Sequence, residues 1–344
     1  MEAKFLEEKK EQIEKSLNTF LPKQIDNNWL IKNIEQNNFN IELFQKILNP
    51  IWNLLERGGK RMRPALMLLC YEACGGTKNI DEFIPLVEII HNGSLMVDDV
   101  EDSSEKRRGL PCTHLLYGVD VAINCGNLMY YLPTNIIKNS NISKDKKLKI
   151  YELVSEELNK LHFGQGMDIL WHKGEVKKVS EKEYLLMCAY KTGTLARMSA
   201  KLGAILADAD DQTIDALGKF AESIGIAFQI KDDILNISNT EWGKAFGDDI
   251  TEGKRTLMVI RALEIGAKKD NDRLIEILSL KTRDQKFITE AVDILKKYDT
   301  ISYSKKIAEE IVLTSLNKLD KLLEESKEKE ELRQFAHFVI DRKI

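Results

Sequence analysis

Glycine and proline are scarce in this chain, 19 and 6 among 344 residues. So few breakers exclude a turn-rich β architecture and favour long helices. No apolar run reaches the length needed to cross a bilayer. The N-terminal stretch MEAKFLEEKKEQIEKSL is charged throughout and lacks the apolar core of a secretion signal. Five cysteines (Cys70, Cys74, Cys112, Cys125, Cys188) are an odd number and none lies in a CxxC, so buried thiols in a reducing, cytoplasmic setting are expected. The histidines show no zinc spacing. An excess of basic charge is also missing. Lys and Arg number 51 against 55 Asp and Glu, and the net charge of -4 argues against a general nucleic-acid binder.

What is present is helical patterning over a sizeable core. Hydrophobic residues make up 43% and charged residues 31%, enough for a buried interior under a well-charged surface. Tyr184, Leu185, Met187, Cys188, Leu195, Met198, Leu202 and Leu206 fit helices interrupted near Gly193. Ser180 and Glu183 have the spacing of a capping box. Pro64 suits a first helical position and Gly75-Gly76 a helix exit. The polar breaks near 76–81, 139–146, 173–180, 208–212, 238–254 and 267–272 are too short for interdomain linkers. The expectation is one all-α domain of many packed helices over 1–344, with a polar helical extension at 1–40. ESKEKEEL, ending at Leu332, reads as an exposed helical face.

One internal echo carries chemistry. SLMVDDVED and FQIKDDILN both set paired aspartates in an apolar helical frame. On a helix, Asp98 and Asp102 share a face and can reach one hard cation. Like charges so placed repel, which calls for a counter-charge. Asp232 and Asp233 repeat the pattern, with Asn236 where the first cluster has Asp102. Mg²⁺ takes one or two carboxylates together with water and substrate phosphate oxygens. Four such aspartates and a diphosphate bring about seven negative charges, which two or three Mg²⁺ ions would largely offset. A basic constellation complements them. Gly58-Gly59-Lys60-Arg61-Met62-Arg63-Pro64 packs three cations at a helix start, where glycines permit close approach and phosphate oxygens find donors. Arg107-Arg108-Gly109 follows the first acidic cluster, and Lys191, Thr192, Gln229, Lys244 and Lys254 are further phosphate-compatible groups. A lone histidine in EIIHNGSL, His91, reads from its surroundings as a packed core residue.

Taken in order, GGKRMRP, HNGSLMVDDVEDSSEKRRG, YKTG, FQIKDDILN and GDDITEGKRT resemble the trans-isoprenyl diphosphate synthase (polyprenyl synthase) family, strongly over about residues 50–260. The resemblance implies an all-α fold around a central substrate cavity, usually as a homodimer. It implies Mg²⁺ at Asp98, Asp102 and Asp232, with Asp99 and Asp233 in support. Isopentenyl diphosphate would be held by Lys60, Arg63, His91 and Arg108, which moves His91 from core to site. Arg107, Lys191, Thr192, Gln229, Lys244 and Lys254 would hold an allylic diphosphate. GQGMDILW, with Gln165 and Asp168, and the Asn236 variant look most like geranylgeranyl diphosphate synthases. Asn236 departs from the commoner aspartate, which leaves its metal role open.

Product length is expected from the helix before Asp98. Gly93 and Ser94 are small and would leave a tunnel open, with Ile90 and Val87 deeper on the wall. That geometry points to a twenty-carbon product, with farnesyl or longer polyprenyl diphosphates as alternatives. Two rivals share the helical class. A cyclase or head-to-head enzyme needs no isopentenyl diphosphate site, which GGKRMRP and Arg108 supply. A regulatory subunit of a heteromeric synthase would show eroded aspartate motifs, and here only Asn236 is unusual.

Overall fold

The computed structural model describes residues 4–35, 40–176, 178–238 and 246–340. Helices account for nearly all of its regular structure, and among the described residues the only strands are Lys106–Arg107 and Leu110–Pro111. The all-α expectation therefore holds. Lys244 lies outside the described residues.

The residues group into two compact units, 2–153 with 202–209, and 154–201 with 210–344. In the first, helix Ile84–Glu101 packs most closely against Val119–Tyr131, with Lys4–Phe20 and Met62–Ala73 also against it. Phe5, Ile13, Leu17 and Leu21 are buried, so the charged N-terminal stretch is an amphipathic helix that turns one face to the core. In the second, Asp211–Ser238 packs along Thr300–Leu319, flanked by Leu257–Ile265, Gln285–Lys297 and Lys327–Ile340.

The local signals work through identifiable bonds. Ser180 accepts from the Glu183 N–H and Glu183 accepts from the Ser180 N–H, which completes the capping box. Pro64 is the third residue of its helix rather than the first, still within the turn whose N–H groups have no intrahelical acceptor. Gly75 takes φ +78° beyond that helix, the left-handed exit that a side chain resists. Near Gly193 the helix is not interrupted. Ala189–Gly193 forms a π-helical segment that carries Glu181–Cys188 into Thr194–Leu206. In the charged stretch near the C-terminus, Lys329 is buried, and its ammonium donates to the Asp320 and Leu323 carbonyls at 2.7 and 2.8 Å. Lys329 therefore caps the end of helix Thr300–Leu319, while Glu325, Ser326, Lys327 and Glu330 of ESKEKEEL are exposed as expected.

Candidate active site

In the first unit the site is organised by a small hairpin. Arg108 at φ +52° and Gly109 at φ +79° form a two-residue turn between the paired strands. The turn sends two adjacent guanidiniums to different partners. Arg107 donates to Asp99 at 2.9 and 2.5 Å and to Asp98 at 3.3 Å. This is the counter-charge that the acidic cluster requires. Asp99 is buried and bonded to Arg107. Burial and the Asp99 carboxylate push the Cys112 thiol up to about 12, so it is inert. Asp98 lies half-buried in the last turn of the helix and Asp102 is its C-cap.

Arg108 donates to the Leu54 carbonyl at 3.3 Å and the Asn92 amide oxygen at 3.1 Å. A Cβ at Gly59 would lie 3.1 Å from the Arg108 guanidinium, so a glycine is needed for this approach. Arg63 lies 3.2 Å from the His91 ring nitrogen Nε2. Burial, then the charges of Arg63 and Arg108, hold His91 well below the usual imidazole range, so it is neutral. Arg63 Nε and His91 Nδ1 are buried without a hydrogen-bond partner among the described residues. Lys60 is exposed beside them in sequence. The third cation of the motif, Arg61, is spent internally on Glu88 at 2.6 Å, Glu14 at 2.7 Å and the Leu55 carbonyl at 3.0 Å. Arg61 and Arg107 are thus neutralised by carboxylates. Arg63 and Arg108 have no carboxylate ion pair among the described residues. Two half-buried guanidiniums bonded only to neutral groups offer donors and charge to an anion.

The chain-length residues divide. A Cβ on Gly93 would lie 2.7 Å from Met129 Cβ and 3.0 Å from the Gly126 carbonyl, so Gly93 is small because two helices meet there. Ile90 and Val87 are fully buried and present no open wall. Ser94, one turn before Asp98, is half-buried and donates to the His91 carbonyl at 2.8 Å. It remains the position of this set on the accessible face.

The second unit carries the other half of the motifs. Gly164 lets the π-helical segment approach closely, since a Cβ there would lie 2.3 Å from the Lys191 nitrogen. Lys191 pairs with Asp168 at 2.6 Å. Burial pushes the Asp168 carboxyl up, but Lys191 and Lys254 outweigh it and hold it below the usual range. Thr192 donates to the Gln229 amide oxygen at 2.8 Å, and Gln229 donates to Asp233 at 2.9 Å. The Tyr184 hydroxyl donates to the other Asp233 oxygen at 2.7 Å. In this arrangement Thr192 and Gln229 orient Asp233. Burial, followed by the charge of Asp249, raises Asp233 to about 7. Lys254 pairs with Asp249 at 3.1 Å and Glu252 at 2.7 Å. Burial opposes its charge, yet these acids raise its pKa well above the ordinary value. Asp232 is half-buried one position before Asp233.

Asn236 is buried, and its amide oxygen accepts the Asp249 N–H at 3.1 Å. Its backbone carbonyl accepts the Gly247 N–H at 2.9 Å. It ties the end of one helix to the segment bearing Lys254, and its oxygen is engaged by protein. The sequence marks Tyr184 only as an apolar helical position and gives Asp249, Glu88 and Asn92 no role. Glu88 offered one signal, an acid inside the apolar stretch PLVEII, which requires a buried partner.

Among the described residues no three His, Cys, Asp or Glu side chains converge as a metal cage. Asp98 and Asp102 in the first unit lie at the end of their helix, and Asp232 in the second lies in the last two turns of its helix; each is an oxygen donor of the kind a hard cation takes.

A family model described as Polyprenyl synthetase matches residues 44–295. A short chain isoprenyl diphosphate synthase of Methanothermobacter thermautotrophicus is 36% identical over 302 residues, covering 87% of this chain and 91% of that protein. A geranylgeranyl diphosphate synthase of Methanosarcina mazei is 35% identical over 294 residues, 84% and 87% of the two chains. The crystal structure of a geranylgeranyl pyrophosphate synthetase from Pyrococcus horikoshii aligns with TM-score 0.85 at 30% identity, covering 98% of this chain and 97% of that one.

Proposed function

This chain belongs to the polyprenyl synthetase family, and from that membership we propose that it condenses isopentenyl diphosphate with an allylic diphosphate to give geranylgeranyl diphosphate. The observation that carries the reading is the pair Arg63 and Arg108, held beside a neutral His91 without carboxylate partners. A cyclase has no use for this second anion site. Arg63, Arg108 and Lys60 would take the diphosphate of isopentenyl diphosphate. Arg107, Lys191 and Lys254 would take that of the allylic substrate, and Lys244 would join them.

In the reaction, the allylic C–O bond breaks and its electron pair leaves with the diphosphate. The double bond of isopentenyl diphosphate attacks the allylic carbon, and a proton is lost to the departing diphosphate. Mg²⁺, held by Asp98, Asp102 and Asp232 with the substrate, would supply positive charge against the leaving group. Lys191 and Lys254 add charge from the protein side. Because Asp168, Asp249 and Glu252 hold them fixed and ionised, little reorganisation is needed as the bond breaks. Neutral His91 adds no charge of its own and orients Arg63.

We place the enzyme in the cytoplasm, where Cys70, Cys74, Cys112, Cys125 and Cys188, none of them in a disulfide, fit a reducing medium. No described helix is long and apolar enough to cross a membrane. A homodimer is the assembly we propose. The exposed Leu115, Leu116, Val119, Ile123 and Tyr131 fall along one short stretch of chain and suit a second copy.

The test is purified protein with Mg²⁺, isopentenyl diphosphate and each allylic primer, with products separated by length. A twenty-carbon diphosphate is expected. Absence of condensation with every primer refutes the assignment.

A further inference from the structure

Glu88 lies outside the five quoted motifs and Asn92 lies in one of them with no role given to it there, yet both sit under the anion site. Both are buried, at 2% and 0% exposure. The Asn92 amide nitrogen donates to Glu88 Oε1 at 2.9 Å and to the Glu88 carbonyl at 2.8 Å. Its oxygen accepts from Arg108 Nη2 at 3.1 Å. Glu88 Oε1 also accepts from Arg61 Nη1 at 2.6 Å, and Arg61 is anchored by Glu14 on the N-terminal helix.

The chemistry of the chain runs one way. An ionised carboxylate only accepts hydrogen bonds, whereas an amide has distinct donor and acceptor ends. The Glu88 carboxylate and the Glu88 main-chain carbonyl both accept, so together they hold the NH₂ of Asn92 and leave its carbonyl oxygen to Arg108. A side chain at 88 that can donate would compete with Arg108 for that oxygen and weaken the hold. We infer that Glu88 and Asn92 are positioning residues, which fix the Arg108 guanidinium for the diphosphate it receives by fixing which end of the Asn92 amide it meets. This rests on the reading of Arg108 as an isopentenyl diphosphate ligand.

The experiment measures KM for both substrates in Asn92→Ala, Glu88→Gln and the double variant Glu88→Gln/Asn92→Asp. Asn92→Ala should raise KM for isopentenyl diphosphate about tenfold, the cost of one hydrogen bond to a charged group. The allylic KM and kcat should change less than about twofold. Glu88→Gln should act in the same direction and more weakly, since a glutamine amide can compete for the Asn92 oxygen while the residue-88 carbonyl still holds the Asn92 NH₂. The double variant restores an acceptor-only group beside Arg108 and keeps one negative charge in the cluster, although the residue-88 carbonyl loses its donor. It should recover part of the affinity lost in Asn92→Ala, which a role in packing alone would not produce. If Glu88→Gln does not fold by circular dichroism, Asn92→Ser replaces it and must fall between the parent and Asn92→Ala. An unchanged isopentenyl diphosphate KM in Asn92→Ala, or a parallel rise for both substrates, overturns the positioning role. Absence of product from the parent protein in the same assay would instead overturn the proposed function.

Discussion

Replacing Gly93 by alanine separates a role in helix packing from one in product length. The new methyl would lie 2.7 Å from Met129 Cβ and 3.0 Å from the Gly126 carbonyl. Ordinary carbon contacts are about 3.5–4.0 Å, so the overlap is roughly an ångström, and backbone has to move. Gly126 faces the same contact from the other side, where a Cβ would lie 2.5 Å from Val97 Cγ2. Helix Val119–Tyr131 therefore has no slack in which to yield. Overpacking of this kind costs about 1–3 kcal/mol. Alanine regains about 1 kcal/mol of helix propensity over glycine, which leaves a net loss of up to about 2 kcal/mol. At roughly 2–4 °C per kcal/mol for a large domain, Tm should fall by up to about 8 °C. Calorimetry and product analysis on the same preparation make the assay. The twenty-carbon product should be unchanged. A shortened product with an unaltered Tm would refute the packing argument and return Gly93 to a tunnel wall. Ser94→Phe is the companion variant, and there the product should shorten with Tm nearly kept.

Further outcomes follow from the same geometry. Asp98→Ala or Asp232→Ala should lower kcat by several orders of magnitude with helicity intact, because lost charge stabilisation of several kcal/mol translates at about 1.4 kcal/mol per decade; near-normal turnover at saturating Mg²⁺ would contradict this. Arg63→Ala should raise KM for isopentenyl diphosphate far more than for the primer, and Arg63→Lys should recover only part, since a point charge does not replace a fork of donors. Asn236→Asp keeps an acceptor for the Asp249 N–H and should stay active with a modest change in Mg²⁺ dependence, whereas Asn236→Leu should weaken primer binding; equal, normal KM values in both would detach Lys254 from Asn236. His91 is held neutral in the fold, so the unfolded chain binds the extra proton below pH about 6.5 and stability falls as pH drops. Parent protein should lose about 1 kcal/mol more than His91→Gln between pH 6.5 and 5.5, read by denaturant unfolding.

The helices were legible because their signals are local and repeat every few residues, as at Ser180 with Glu183 and at Gly75. The acidic clusters were legible because paired aspartates in an apolar frame have few other uses. The fate of individual cations was not. Lys60, Arg61 and Arg63 look equivalent in sequence, yet Arg61 alone is consumed, since Glu14 reaches it from 47 residues away along the chain. The same holds for Gly93 and Ser94. They are adjacent and both small, but one faces a helix and the other the accessible side. Neither distinction can be read from composition or period, because each depends on partners distant in sequence.

The Arg107–Arg108 turn also bears on which changes the chain can tolerate over time. Neighbouring residues in a hairpin reach opposite ways because the backbone alternates and the turn has a fixed length. Substitutions at Lys106 or Leu110 alter a side chain and leave both guanidiniums where they are. A single inserted or deleted residue between 106 and 111 instead shifts register, so the group meant for Asp99 would face Asn92 and the reverse. The segment is permissive in letters and intolerant in length, and drift here should proceed by replacement with almost no gaps.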